Sequence, residues 1–520
     1  MQTSPSTQSA HAPSSAPPSA PPSAPPSAPP PWRNLLVDRS AWLIVGLTLL
    51  VCIAIAANVT PLLRGPAPYP PEWQWDYVWP PNLILWRLIA PLSVAGLIGA
   101  WAALARRFER QPWWSLLLVI GLALAFRLAV QFTLPSGLDI VARTLNPTYF
   151  GYFGPATEVD NVLNFVGTYD DNPEQLAYRQ QSKAPGNTLI FWGIIELTER
   201  LPGVEQIAAP VIEPRLAALP DWAADYTVME VIAGVAASVT IPALSALSII
   251  PLYLAARRLG RERTARLSIA LFAFYPALTL FIPVVDDVQT LIAALGFWLA
   301  VEGLCQSKGW PLLLAGIIAG CGTFASYSML PFLLLLFLMA LFHALSLGSQ
   351  ANWQRGLRDL SLVGLGSVGV WLIAWIVGMN PITVFFNAMG AHGDLSSTRS
   401  YWLWLFYNPY DLLLFAGVPV AYHALRELGL LVGKLRQRSP WELGDSVTLA
   451  FYVAFALLFL SGAWRGETAR ALMYVAPLLV WIAAHNATDE TVTPIGYGSL
   501  LAALTMVQTL VFHAVLEVYH

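Results

Sequence analysis

Residues Ala41–Asn58 read AWLIVGLTLLVCIAIAAN, a run of 18 residues without a charged side chain. About 20 such residues in a helix span the hydrocarbon core of a bilayer, which is roughly 30 Å thick. Leu83–Ala105 and Val447–Ser461 are comparable apolar runs. The apolar residues are continuous rather than alternating, which argues against a β-barrel. The runs therefore predict an all-α, polytopic membrane protein.

The composition of the 520-residue chain supports the same class. Hydrophobic residues make up 56% and charged residues only 11%, whereas an ordinary soluble domain carries about 25% charged residues. A soluble enzyme is therefore excluded. Three cysteines (Cys52, Cys305 and Cys321) in or beside apolar runs resemble small core residues, with no disulfide or zinc spacing. The net charge of −3 argues against a nucleic-acid-binding protein.

The chain divides into four predicted parts. Residues 1–31 repeat Ser-Ala-Pro-Pro four times and are expected to form a disordered Pro-rich tail. An additional N-terminal transmembrane hairpin follows at 32–110, the main transmembrane region at 111–490, and a C-terminal transmembrane helix at 491–520. About thirteen transmembrane helices are expected, at 41–58, 83–105, 114–134, 229–256, 267–284, 288–306, 309–323, 329–347, 360–379, 411–426, 446–461, 471–486 and 495–517.

The distribution of Lys and Arg predicts the orientation of these spans. With the N-terminus inside, 17 basic residues fall on the inner side and 9 on the outer side. The positive-inside rule therefore favours a plasma-membrane protein with a cytoplasmic N-terminus and an extracytoplasmic C-terminus. This orientation places the longest loop, 135–228, outside. Asn187–Leu197 is too short to span, and it and the aromatic segment Tyr401–Tyr410 are expected to lie along the interface.

The outer loop contains carboxylates that could act as a general base. Glu158 and Asp160 follow a turn that contains Gly and Pro, near the predicted membrane surface. Partial loss of solvent there could raise the pKa of a carboxyl group toward the range of a general base. Both residues could equally be ordinary solvated loop acids. Asp139, a few residues after the third span, is a rival candidate.

Two further groups of charged residues flank later spans. Arg465, Glu467 and Arg470 precede the twelfth span, where two guanidinium groups beside a helix N-terminus could bind a phosphate. The alternative there is interfacial anchoring with a Glu–Arg helix pair. Asp286 and Asp287 lie at the tip of a short hairpin and could orient a sugar hydroxyl or a metal, or simply face water.

Other charged residues near the outer boundary carry weaker signals. Arg87 and Arg127 lie within spans and are explained equally well by snorkelling to lipid headgroups or by a phosphate contact. His392, Asp394 and Arg399 lie in the outer loop before Tyr401. No metal-ligand spacing accompanies His392, so ordinary loop polarity is favoured for this group.

The order of these signals resembles the C-type (GT-C) superfamily of membrane glycosyltransferases. The nearest branch is the family 39 type, with protein O-mannosyltransferases and aminoarabinose transferases. The shared order covers roughly 110–480: a span, an acidic outer loop, a Pro-Gly motif, an Arg-Arg-x-Gly loop, an acidic hairpin and a late arginine motif. Here these correspond to the third span, Glu158 and Asp160, Lys183-Ala-Pro-Gly, Arg257-Arg-Leu-Gly260, Asp286-Asp287 and Arg465–Arg470.

The resemblance implies a reaction and a set of roles. A sugar would move, with inversion, from a polyprenyl-phosphate donor in the lipid bilayer to a hydroxyl acceptor on a glycan, lipid or protein. Glu158 or Asp160, or else Asp139, would be the catalytic base. Donor-phosphate binding would fall to Arg465, Arg470 and Lys183, and substrate binding to Asp286, Asp287, Glu467 and Tyr152. No cofactor is implied, and nothing in the sequence supports a divalent metal.

Two other classes remain open at this point. A secondary transporter or lipid/glycan flippase would place charges near the midplane and show internal repeats. A non-catalytic membrane scaffold subunit could be recruited through the Pro-rich tail. The enzyme hypothesis predicts that the outer-loop acids and Arg470 converge on one cavity that opens laterally to lipid.

Overall fold

The computed structural model describes most of the chain as helix. The described residues are 39–79, 81, 83–104, 112–135, 139–147, 151–171, 176, 178–216, 223, 225–346, 350–489 and 495–518. The predicted Pro-rich tail, 1–31, lies outside them. The only strands among them, β1 (Asp76–Tyr77) and β2 (Leu516–Glu517), pair antiparallel with Asp76 opposite Glu517. The predicted all-α polytopic class is confirmed.

The first part of the chain contains three long helices and a series of short ones. The helices are α1 (Arg39–Ala56), α2 (Ile89–Leu104), α3 (Pro112–Gln131), α4 (Asp139–Leu145), α5 (Phe153–Thr157), α6 (Val162–Gly167), α7 (Tyr178–Gln181), α8 (Gly186–Glu199) and α9 (Val204–Leu216). Short 3₁₀ turns cover Pro61–Arg64 and Leu85–Leu88.

The remaining helices form the main bundle. They are α10 (Val228–Leu247), α11 (Ile249–Leu259), α12 (Glu262–Ala273), α13 (Pro276–Leu280), α14 (Asp286–Gln306), α15 (Gly309–Ala325), α16 (Leu330–Ser346), α17 (Gln350–Val377), α18 (Pro381–Ser396), α19 (Tyr401–Ala416), α20 (Val418–Gln437), α21 (Leu443–Ser461), α22 (Thr468–Ala471), α23 (Ala476–Asp489) and α24 (Ile495–Val515). Tyr327–Met329 and Met473–Val475 are 3₁₀ turns.

Eight described helices are long and apolar enough to cross a membrane. They are Arg39–Ala56, Trp113–Gln131, Val228–Leu259, Asp286–Gln306, Tyr327–Ser346, Trp353–Val377, Leu443–Ser461 and Gly496–Val515. Leu85–Trp101 and Gly309–Ala325 are shorter apolar helices. These ten helices correspond to ten of the thirteen predicted spans.

The other three predicted spans are interrupted. Residues 267–284 divide between α12 and α13, where Pro276 begins a new helix, and 471–486 changes from a 3₁₀ turn to α23. The predicted span 411–426 divides at Gly417, whose φ of +93° separates α19 from α20. A side chain is strained at this φ, so glycine permits the change of direction. Tyr401–Tyr410, expected at the interface, is the first part of α19.

The bundle has two chemically different ends. Helix α14 begins at Asp286, and near its other end Glu302 pairs with Arg258 at 3.4 Å. Arg358 donates to the carbonyl of Ser307 at that same end, which we call the arginine end. At the opposite end, where α14 begins, Gln131 at the end of α3 donates to the carbonyl of Thr279 and accepts from Arg143, which belongs to the described part of 135–228. We call this opposite end the loop end.

Two ionisable residues of opposite charge are buried close to the loop end. Arg127 on α3 and Asp287 on α14 are both 0% exposed, and their charges attract each other. Arg127 Nη1 donates to Ser245 Oγ at 3.0 Å. Among the described residues, neither carboxylate oxygen of Asp287 has a hydrogen-bond partner. Burial of Arg127 contradicts the expectation of snorkelling, while a phosphate contact of this residue stays a prediction. Arg87 instead donates to the carbonyls of Phe132 and Leu134.

Removing one member of this pair should destabilise the protein. Asp287→Ala or Arg127→Met leaves one buried ionisable group without the attraction of the other, which should lower the free energy of unfolding. The double variant Arg127→Met/Asp287→Leu should recover most of that loss, because no isolated charge remains. Thermal unfolding in detergent measures both effects. Single variants as stable as the wild type would contradict the coupling between the two charges.

Candidate functional site

The loop end contains a cluster of charged and phenolic groups around Arg470. The guanidinium of Arg470 pairs with the carboxylate of Glu467, and their side chains are only 19% and 16% exposed. The carboxylate of Asp286 and the phenol of Tyr152 also act on Arg470. Burial alone would lower the pKa of Arg470, but these neighbours raise it above its usual value. The cluster therefore holds a guanidinium that stays charged.

The loop before Arg470 depends on unusual backbone conformations. Gly462 and Gly466 have φ values of +66° and +112°, and Glu467 has +49°. A Cβ at Gly466 would overlap the guanidinium of Arg399. The loop folds tightly because glycine tolerates these angles. It thereby turns Glu467 back toward Arg470.

Helix α19 fixes the backbone of this loop through hydrogen bonds. Asp411 accepts a hydrogen bond from the backbone N–H of Ala469 and another from Trp75 Nε1, both at 2.8 Å. Asn408 Oδ1 accepts from Thr468 Oγ1 at 2.7 Å, and its Nδ2 donates to the carbonyl of Trp464. Two polar residues of one helix therefore fix the backbone on both sides of Glu467.

A chain of hydrogen bonds connects Asp286 to a neighbouring cavity. Gln289 Nε2 donates to Asp286 Oδ1 at 2.8 Å, and Ser328 Oγ donates to Gln289 Oε1 at 3.2 Å. Tyr474 Oη donates to the carbonyl of Ser328 at 2.8 Å. Because Ser328 lines the cavity, Asp286 is two hydrogen bonds away from its wall.

The cavity is about 380 Å³ in volume and has two chemically distinct parts. Aliphatic side chains of α16 and α21 form one wall: Leu330, Pro331, Leu334, Ala454, Leu457 and Leu458. The other part is polar and aromatic and contains Ser182, Lys183, Tyr327, Ser328, His392 and Trp464. Met389, Ala463 and Leu472, which lies two residues after Arg470, complete the lining. This arrangement suits an amphipathic ligand.

Lys183 and His392 meet on the indole of Trp464. The ammonium nitrogen of Lys183 lies 5.6 Å from the Trp464 ring centroid, and the His392 ring stacks on the same indole at 5.0 Å. Tyr169 Oη donates to the carbonyls of Gln180 and Lys183, which holds the Lys183 segment in place. Burial raises the pKa of Tyr169, so its phenol remains a donor.

The structure gathers five of the ten sequence-predicted site residues. Tyr152, Asp286, Glu467 and Arg470 form the charged cluster, and Lys183 lies at the cavity. Asp287 is buried beside Arg127 instead. The guanidinium of Arg465 donates to the carbonyls of Gly462 and Arg399 at 3.1 and 2.8 Å and lies over the Tyr401 ring. Arg465 therefore stabilises the backbone of the loop that precedes Arg470.

The predicted base residues lie elsewhere at the loop end. Glu158 and Asp160 are exposed. Burial, with Glu230, Glu158 and Asp225 nearby, raises the pKa of Tyr226 to about 12. The phenol of Tyr226 donates to the carbonyl of Leu145, at the end of helix α4, which begins at Asp139. The catalytic roles of Glu158, Asp160 and Asp139 stay predictions.

Sequence reasoning missed three residues that connect this site. His392 was assigned to ordinary loop polarity, and Gln289 and Ser328 were not singled out. An amide three residues after Asp286 on a helix was a usable signal, since such a residue faces the same side. Ser328 had no comparable signal. Among the described residues, no group of three or more His, Cys, Asp or Glu could hold a metal ion.

Comparisons with known proteins find a similarity to a solved structure but to no family model. No family model matches the chain, and no curated protein matches it. A crystal structure of the Archaeoglobus fulgidus oligosaccharyltransferase, in complex with Zn and sulfate, is similar with a TM-score of 0.42 and 13% identity. The similarity covers 75% of this chain and 53% of that protein. The chain thus matches about half the length of that structure.

The contacts of Asp411 predict a local effect of its removal. Asp411→Ala deletes two hydrogen bonds to a buried carboxylate, each worth about 1.5–3 kcal/mol. We expect lower thermal stability and faster amide hydrogen exchange at 463–471. Asp394→Ala, at an exposed carboxylate of the same end, is the control and should leave exchange unchanged. Equal exchange in both variants would contradict the anchoring role of Asp411.

Proposed function

We propose that the protein is a membrane glycosyltransferase that transfers a sugar from a polyprenyl-phosphate donor to a hydroxyl acceptor. The supporting observation is the cavity, in which aliphatic side chains of two membrane helices and the ammonium-bearing Lys183 line one space, and whose wall includes Leu472, two residues after Arg470. A lipid phosphate has the same order of properties: an apolar tail followed by an anionic head. The positive-inside rule places this reaction on the extracytoplasmic side.

The lipid part of the donor would occupy the aliphatic wall between α16 and α21. Leu457 is exposed on the surface of α21, so the wall continues to the outside of the bundle. A cavity of about 380 Å³ holds the first isoprene units, while the remaining tail lies in the bilayer. Removing isoprene units from water stabilises the complex by about 25 cal/mol per Å² of apolar surface.

The phosphate would bind between Lys183 at the cavity and Arg470 in the charged cluster. Lys183 and Arg470 provide the positive charge that a leaving phosphate needs as its negative charge develops. Arg470 is preorganised because Glu467 and Asp286 already fix it. Arg465 contributes indirectly in this proposal, since its N–H groups bind the carbonyls of the loop.

The transfer itself is a displacement at the anomeric carbon. The acceptor oxygen forms a bond to this carbon as the bond to the phosphate oxygen breaks, and that electron pair moves to the phosphate. The hydroxyl proton passes to a carboxylate, and the anomeric configuration inverts. We assign Asp286 to orient and deprotonate the hydroxyl, because Glu467 is already paired with Arg470, whereas Asp286 is connected to the cavity wall through Gln289 and Ser328. Glu158 and Asp160 remain the candidates from the sequence.

One observation favours a transporter as the second candidate function. Arg127 and Asp287 are charged residues inside membrane spans, and such residues often mark a transport pathway. A transporter would move the lipid-linked glycan without forming a new glycosidic bond. Detection of a new bond in liposomes that contain the purified protein separates the two functions.

Substitution of the carboxylates tests the assignment of the base. Asp286→Asn should lower the transfer rate by about 10²–10⁴-fold, the usual contribution of a general base. Glu158→Gln and Asp160→Asn should retain most activity, as should the control Glu199→Gln at another exposed acid. Single-turnover transfer with extracted lipid-linked sugars is the measurement. Full activity of Asp286→Asn with loss in Glu158→Gln or Asp160→Asn would return the role to the outer loop.

Substitution of Arg470 tests the phosphate site. Arg470→Ala removes a charge-assisted contact worth about 1.5–3 kcal/mol, so donor affinity should fall about 10–100-fold. Arg470→Lys should retain part of the affinity. Arg200→Ala is the matched control, since Arg200 is an exposed arginine paired with Glu196. Unchanged donor affinity in Arg470→Ala would remove this residue from the phosphate site.

A further inference from the structure

The polar part of the cavity contains a histidine whose hydrogen bonding defines its protonation. His392 Nε2 lies 2.9 Å from the carbonyl oxygen of Ala463. A carbonyl oxygen only accepts, so Nε2 carries the hydrogen. In the neutral ring Nδ1 then has a free lone pair, and no hydrogen bond among the described residues reaches Nδ1.

The surroundings of His392 keep the ring neutral when no anion is bound. Burial, Lys183 and Arg399 lower the pKa of His392, while the Ala463 carbonyl opposes them. Lys183 comes from the segment before α8 and Arg399 from the segment after α18. Among the described residues that line the cavity, none is acidic.

A bound phosphate would supply that missing negative charge. It would lie among Lys183, His392 and the indole of Trp464, at the end of the aliphatic wall. An anion at this position favours the protonated ring, whose Nδ1–H then becomes a donor to a phosphate oxygen. Trp464 fixes the ring plane by stacking, so the ring needs no rearrangement.

We propose that His392 is a ligand of the donor phosphate and that binding of the phosphate is coupled to uptake of one proton at His392 Nδ1. The inference rests on the proposed function, because it concerns the same cavity. It adds pH dependence to donor binding. The bond to the leaving phosphate breaks during transfer, which adds a negative charge, so the protonated ring also stabilises the released lipid phosphate.

The direction of the pH dependence follows from linkage. The phosphate complex binds one more proton than the empty protein, so affinity rises as the pH falls. The window lies between the pKa of His392 in the empty site, below the usual value of about 6.5, and its raised value in the complex. Within the window, affinity changes by at most about tenfold per pH unit.

Binding of a phosphate diester isolates this effect from titration of the ligand. Methyl farnesyl phosphate carries one charge that does not titrate near neutral pH, unlike farnesyl phosphate, whose second pKa is about 6. Its affinity for the full-length protein in detergent should weaken by about fivefold or more from pH 6 to pH 8. Calorimetry in two buffers of different ionisation enthalpy should show proton uptake.

Matched variants separate His392 from its neighbours. His392→Gln should bind more weakly at pH 6 and lose the pH dependence. Lys183→Met should bind more weakly and keep a pH dependence, displaced to higher pH because Lys183 no longer lowers the pKa of His392. His485→Gln is the control, because His485 also stacks on a tryptophan, Trp481 at 5.6 Å, but outside the cavity. It should behave like the wild type.

Each result of these binding measurements either supports or overturns the inference. Equal affinity and equal pH dependence in wild type and His392→Gln would overturn it while the proposed function stands, provided that both transfer sugar. Absence of binding of any farnesyl phosphate by the wild type would overturn both. Inorganic phosphate and farnesol test the source of affinity: binding of inorganic phosphate as tight as that of the farnesyl ester would contradict a lipid-phosphate site.

Discussion

The site depends on keeping the guanidinium of Arg470 charged beneath the surface of an apolar bundle. Burial of an isolated cation is costly, and the cost falls only when opposite charges and hydrogen bonds surround it. Glu467 and Asp286 provide these charges from two sides of the loop end. In the proposed function, an entering phosphate would meet a cation already held in position rather than a flexible surface side chain.

The position of Arg470 depends on the conformation of the loop before it. Three residues of this loop, Gly462, Gly466 and Glu467, have positive φ values, and these turn the backbone back on itself. Arg465 donates its N–H groups to carbonyls of this loop and of the preceding segment. Two arginines five residues apart therefore have different tasks. One shapes the loop, and the other presents its charge to the cluster.

The sequence predicted the membrane class because hydropathy is a local property that any long helix must satisfy. It did not predict the interruptions at Pro276 and Gly417, where the apolar pattern continues through a change of backbone direction. In the site, the charged members Asp286, Glu467, Arg470 and Lys183 were predictable because charges at the ends of apolar runs need a reason. Ser328 and His392 were missed because their partners Gln289 and Trp464 lie far away in sequence, and only folding brings them together. Gln289 could have been found, since it follows Asp286 by three residues on one helix.

The N-terminal segment between α1 and α2 explains how the loop end is held together. Trp75 packs against Phe281 and Phe415 and donates to Asp411, the residue that holds the backbone of Ala469. Glu72 accepts from the backbone N–H of Ser400 and from Trp404 Nε1, which fixes the start of α19. The strand pair of Asp76 and Glu517 joins the same segment to the end of α24. The segment between α1 and α2 therefore reaches the charged cluster through Trp75, Asp411 and Ala469, and it acts as a structural support of the cluster.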